Sequence, residues 1–207
     1  MLPSRRPILL AAALAFAAAS LSLGAALLVP QTAHASTAIA LSLPELCDRS
    51  DAVVVGIPKS KVSRWESGRI FTYTTVAIDT AVAGAAKAGD TVTVRTMGGV
   101  VDGIGQITHG EAILNIDKPV LLFVRPLPTA KSPTVVITGM AQGAMPVEIG
   151  ADKIARVVAH ANDLVLVPNA KVPSAVAPKP AMMALGGLAL PSALTEVRTA
   201  WAARAKK

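Results

Sequence analysis

The chain has 207 residues, 52% of them hydrophobic, 16% charged and 3% aromatic, with a formal net charge of +7. This much apolar content with so little charge excludes an intrinsically disordered chain, and a single cysteine excludes a scaffold stapled by intramolecular disulfides. Fifteen glycines and fifteen prolines point to a turn-rich β protein rather than a helical bundle.

The first element is an export signal. Ser4-Arg5-Arg6-Pro7 is a short basic start, residues 8–29 form an uncharged apolar run, and Pro30-Gln31-Thr32 breaks it ahead of Ala33-His34-Ala35. That order is the layout of a secretory signal peptide over residues 1–35, cleaved between Ala35 and Ser36. A retained membrane helix is the competing reading, since the run could span a bilayer; the alanine-rich composition and the Ala-x-Ala end favour removal. No cysteine directly follows the run, so a lipoprotein anchor is excluded. Residues 4–9 resemble the twin-arginine export signal, without its usual Phe, and the general secretory route is the expected one. The protein is therefore expected in the periplasm or outside the cell, free of the membrane once the signal is cut. Its remaining basic residues (Lys59, Lys61, Arg64, Arg69, Arg95) are scattered along the chain, ending in Lys206-Lys207. A nucleic-acid partner is not expected, because that function calls for a basic stripe with stacking aromatics.

Residues 36–167 read as one β-rich domain. It opens on a short helix, where Ser42-Leu43-Pro44-Glu45 forms a capping box and Leu43, Leu46 and Cys47 share a face. Residues 52–57 are a β-branched run suited to a buried strand. Glu66-Ser67-Gly68-Arg69 is a turn, and in residues 70–78 Ile70, Thr72, Thr74, Val76 and Ile78 occupy one face, with Phe71, Tyr73 and Thr75 on the other. Residues 91–95 alternate as a half-buried strand, and further strands are expected at 111–116, 120–124, 134–138, 146–149, 154–158 and 164–167. Residues 168–190 are rich in Pro and Ala and read as a linker. Residues 191–207 form a C-terminal helix with Leu194, Val197 and Trp201 on one stripe. Short strands at this spacing predict a mainly β fold, a small antiparallel barrel (OB-like) or a sandwich, with one short helix before it and one after.

The run Ser42-Leu43-Pro44-Glu45-Leu46, then Ser50-Asp51-Ala52-Val53-Val54-Val55-Gly56, resembles a group of uncharacterised exported bacterial proteins. Thr91-Val92-Thr93-Val94, Leu121-Leu122-Phe123-Val124 and Gly139-Met140-Ala141-Gln142-Gly143 fit the same group, so the resemblance spans residues 40–147. The strand order is also similar to the netrin-like OB barrel of tissue metalloproteinase inhibitors. Those inhibitors hold zinc through a disulfide-fixed N-terminal cysteine. Here the expected N-terminus is Ser36 and Cys47 has no cysteine partner, so the resemblance implies the fold without the inhibitory mechanism.

The chemistry-bearing residues are few. Cys47 lies on the apolar face of its helix and is read as a small core hydrophobe rather than a nucleophile. His109 and His160 are the histidines that follow the signal, and no serine-hydrolase elbow, zinc motif or calcium loop is present. No catalytic residue, metal or cofactor is therefore assigned. Residues 97–110, with five glycines, read as a wide connection between strands. Within them, Asp102, Gln106 and His109 are the side chains best placed to orient a polar ligand. The function these features predict is an exported, non-catalytic module that binds a protein or envelope component. The alternative is a secreted hydrolase whose site is assembled from distant residues.

Overall fold

A computed structural model describes residues 36–128, 133–160, 164–169 and 178–204. The expected signal segment, the middle of the expected linker and the final Lys206-Lys207 pair lie outside the described residues. β1 (Ser36–Ile39) is followed by α1 (Leu43–Asp48), β2 (Ala52–Glu66), β3 (Arg69–Gly84), β4 (Thr91–Met97), β5 (Gly99–Val101) and β6 (Ile104–Gln106). Then come β7 (Val120–Pro126), β8 (Thr134–Ile137), a 3-10 turn (Met140–Gly143), β9 (Ala144–Ile149), β10 (Ala155–Val157), β11 (Leu164–Val167), α2 (Ala181–Leu185) and α3 (Leu190–Arg204).

The fold is mainly β, built on a large mixed sheet. Seven strands run in the order β10-β9-β7-β2-β3-β4-β8, and β7 also pairs with β8. The expectation of a wholly antiparallel arrangement is corrected at two places. β4 pairs with β8 in parallel, Thr93 opposite Thr134, and β1 pairs with β11 in parallel, Ser36 opposite Leu164. Both parallel pairs join strands far apart in sequence, which short-range alternation cannot reveal. Among the described residues, no helix is long and apolar enough to cross a membrane.

The continuous apolar runs in β2 and β7 have a simple cause. Successive side chains of a strand point to opposite faces, and both faces of these two strands are covered. Leu121 and Phe123 join Val53, Val55, Leu46 and Cys47 in a core under the helices. Val120, Leu122 and Val124 join Val54, Val76, Val94 and Ile137 in a second core on the other side. β3 continues into that second core with Val76 and Ile78, as its alternation predicts.

The helical elements follow from local signals. Ser42 caps α1: its Oγ accepts from the Glu45 N–H, while the Glu45 carboxylate accepts from the Ser42 N–H at 2.8 Å. α3 buries Ala193, Leu194 and Val197, and Trp201 packs at the edge of the same core. The linker reading is corrected over its described C-terminal part. There α2 buries Ala181, Met182 and Leu185 in the helix-side core, and the Ala181 N–H donates to the Leu41 carbonyl at 2.7 Å. Pro180 sits just ahead of this helix, where a missing N–H costs nothing. The strand expected at residues 111–116 is also corrected. Ala112 and Leu114 are buried and Ile113 is exposed, but the segment has no ladder partner and runs as an extended loop.

Candidate functional site

The β2–β3 hairpin extends past the second core, and its inner face forms the floor of a cleft of about 850 Å³. Ser63 stands opposite Thr72, and Lys61 opposite Thr74; Thr96 of β4 stands opposite Thr72 on the other side. The Ser63 and Thr72 hydroxyls are 2.8 Å apart and hydrogen-bonded, and Thr72 Oγ1 donates to the Gly98 carbonyl at 2.7 Å. The floor is therefore a patch of hydroxyls on a sheet, continuous below with the valines of the second core. Residues 98–100, 106–109 and 111–114 form the walls, and His160, just after β10, also lines the cleft.

Gly99 explains how the wall approaches the floor so closely. Its φ is +139°, and a Cβ there would overlap the Ser63 and Thr72 hydroxyl oxygens. Only glycine meets both demands. The expected wide connection over residues 97–110 is instead a tight hairpin, with β5 antiparallel to β6. Its turn is Asp102-Gly103, both at positive φ (50° and 78°), the backbone of a hairpin turn matched to strand twist.

Of the three residues singled out from the sequence, the structure brings two to the cleft. Gln106 and His109 line it. Asp102 sits at the exposed hairpin tip and does not. Gln106 has a structural duty, since its Oε1 accepts from the Ile70 N–H at 3.0 Å and ties the hairpin to the start of β3. Sequence reasoning missed Lys61, Glu111 and His160. Glu111 is the most informative of these. Its carboxylate accepts from the backbone N–H groups of Met97 and Ala112, each at 3.3 Å. Burial nevertheless pushes its pKa above the usual carboxylate range, with the two backbone bonds opposing the shift. Its neighbour Gly110 has a φ of +77°, a turn that a lone glycine before an apolar alternation could have flagged.

No protein-family model and no curated protein matches the chain. The cleft is accordingly interpreted from its own chemistry. A Cys–His pair is not formed: Cys47 is fully buried in the helix-side core, whereas both histidines line the cleft. Burial pushes the Cys47 thiol up to about 11, the Arg204 guanidinium pulling weakly the other way. Among the described residues, no group of three His, Cys, Asp or Glu could hold a metal ion. What the cleft offers is a hydroxyl floor, one half-buried carboxyl, three basic side chains (Lys61, His109, His160) and an apolar rim. Val100, Ile107 and Ile113 on the walls are 65%, 82% and 65% exposed. Exposed apolar side chains grouped about a cavity mark interaction surfaces more often than isolated ones do.

The outer face of the same hairpin is held by a charged and aromatic cluster. Glu66 accepts from Arg64, from Tyr73 and from Arg95. The Arg95 guanidinium lies 3.4 Å from the Phe71 ring centre and that of Arg64 3.8 Å from the Tyr73 ring. The Tyr73 hydroxyl bond, followed by those of the two arginines, holds the Glu66 carboxyl below its ordinary range. This cluster stiffens the platform on which the cleft is built.

Proposed function

We propose that the chain is an exported, non-catalytic β module whose cleft binds a protein or envelope component. The observation that carries this reading is the pairing of a hydroxyl floor with an exposed apolar rim on a cleft of ligand-binding size. An OB-like barrel is the fold we propose for the module. Supporting it is the circuit of pairings β7–β2, β2–β3, β3–β4, β4–β8 and β8–β7, antiparallel except at β4–β8. Export rests on the residue pattern of 1–35. The test is native mass spectrometry of the protein recovered from the exported fraction. The expected result is a bound component, lost when His109 and Ile113 are both replaced by Asp while thermal melting is unchanged. Wild-type protein with nothing bound, or a variant that keeps its component, overturns the reading.

A second reading, a secreted hydrolase, draws support from Glu111. A carboxyl whose pKa is raised by burial, in a cleft also lined by two histidines, has the makings of a general acid or base. Hydrolysis of simple ester, amide or glycoside probes by the wild type, abolished in Glu111→Gln, would favour it over the binding module.

A further inference from the structure

The long hairpin has one open side. β3 covers one edge of β2 along its length, from Ala52 opposite Gly84 to Glu66 opposite Arg69. β7 covers the other edge only from Ala52 to Gly56. One more contact follows there, the Asp117 N–H donating to the Pro58 carbonyl at 2.8 Å. From Ser60 onward that edge has no backbone partner among the described residues.

Ile70 fixes which groups point outward. Its N–H donates to Gln106 Oε1, and its carbonyl accepts from the Gly98 N–H at 2.8 Å, so both turn away from β2. In an antiparallel pair, facing residues alternate between exchanging both backbone bonds and exchanging none. Trp65, opposite Ile70, therefore directs its own N–H and C=O to the open edge. The register is unbroken from Ser60 to Glu66, so Ser63 and Lys61 do the same. The Ser63–Thr72 hydroxyl bond agrees with this phase, because side chains come closest at the pairs that exchange no backbone bonds. Three donors and three acceptors thus face outward, beside Val62 and Trp65, which are 65% and 47% exposed.

We propose that this edge pairs antiparallel with the same edge of a second copy of the chain, about a two-fold axis through Ser63. Ser63 then faces Ser63, Lys61 faces Trp65, Val62 faces Arg64 and Ser60 faces Glu66. In this register all three outward-facing residues of each copy exchange backbone bonds. Slipping by two residues in either direction leaves one of them unpaired. Charge also selects it. No like charges stand opposite each other, the Lys61 ammonium meets the Trp65 indole, and the Arg64 stem covers Val62. Edges are commonly guarded by Lys and Arg against indiscriminate pairing. Here a foreign strand would have to answer Lys61 and Arg64, whereas the chain's own strand already does. The contact is isologous. Since Lys61 and Ser63 also line the cleft, pairing sets two clefts on the same face of one continuous sheet.

Sedimentation velocity of the exported protein over a range of concentrations tests the proposal. The wild type is expected to show a monomer–dimer equilibrium. Ser63→Pro removes an N–H that the monomer does not use and is expected to abolish the dimer. Val62→Lys, which faces Arg64 of the second copy, is expected to weaken association about tenfold, and Val62→Glu to strengthen it by a similar factor. The two Val62 variants keep the test independent of how well Ser63→Pro folds. A wild type that stays monomeric at every concentration overturns the proposal, as does a dimer whose strength ignores both Val62 substitutions.

Discussion

Glu111 shows how one half-buried carboxyl shapes the behaviour of the molecule. Its folded-state pKa lies above that of the unfolded chain, so the native state binds the proton more tightly. Stability is then greatest below the ordinary carboxylate range and declines as pH rises through the raised pKa. Glu111→Gln keeps an acceptor for one backbone N–H and removes the titration. Relative to wild type, its melting temperature should be more favourable at pH 7 than at pH 4; a difference independent of pH would refute the linkage. Cys47 is the opposite case, a reactive group made silent by position. Fully buried and with its pKa raised to about 11, it should be alkylated by a thiol reagent orders of magnitude more slowly in the native state than in denaturant. Labelling at the denatured rate would contradict that.

At the scale of elements, the start of the described chain is tied to distant segments by single side chains. Arg204, in the last turn of α3, donates to the carbonyls of Cys47 and Ser50 at 2.7 and 2.8 Å, satisfying groups at the C-terminal end of α1. Its guanidinium also stacks 3.2 Å from the Trp201 ring. Arg204→Ala should destabilise the fold by about 1 kcal/mol, less than a fully buried charged bond would cost because the side chain is partly solvated; denaturant unfolding measures it. Gln142 does the same for the segment after β1, accepting from the Leu41 N–H at 2.8 Å and donating to the Ile39 carbonyl. Local chemistry made several elements legible in advance. The capping box at Ser42, the alternation of β3 and the stripe of α3 were all readable because each signal lies within a few residues. Asp102-Gly103 between apolar neighbours is an equally local hairpin signal, lost among the other glycines of the segment. The cleft was only half legible. Gln106 and His109 sit on the glycine-rich segment, and Glu111 follows His109 by two residues, within reach of the same window; Lys61 and His160 join them only through the tertiary fold, which no window of sequence contains.

For the molecule as a whole, the proposed order of events begins with export. Ser36 is the first residue of β1 and pairs with Leu164, so a chain starting there retains the whole terminal ladder. Intact-mass measurement of the exported protein should match residues 36–207, and a mass that includes residues 1–35 would reverse the cleavage assignment. The parallel pairing of β1 with β11 has a further consequence, for time rather than for shape. It joins the first and last strands of the β domain, and the loop-closure entropy of so distant a contact is met only after the rest is in place. The ladder should therefore form last during refolding and be among the first regions to exchange its amide hydrogens. A chain delivered unfolded across a membrane would pass through an interval with those strands unzipped. In that interval a holding chaperone and a protease would compete for the same short stretch, and the yield of mature protein would be set by their rates as much as by its equilibrium stability.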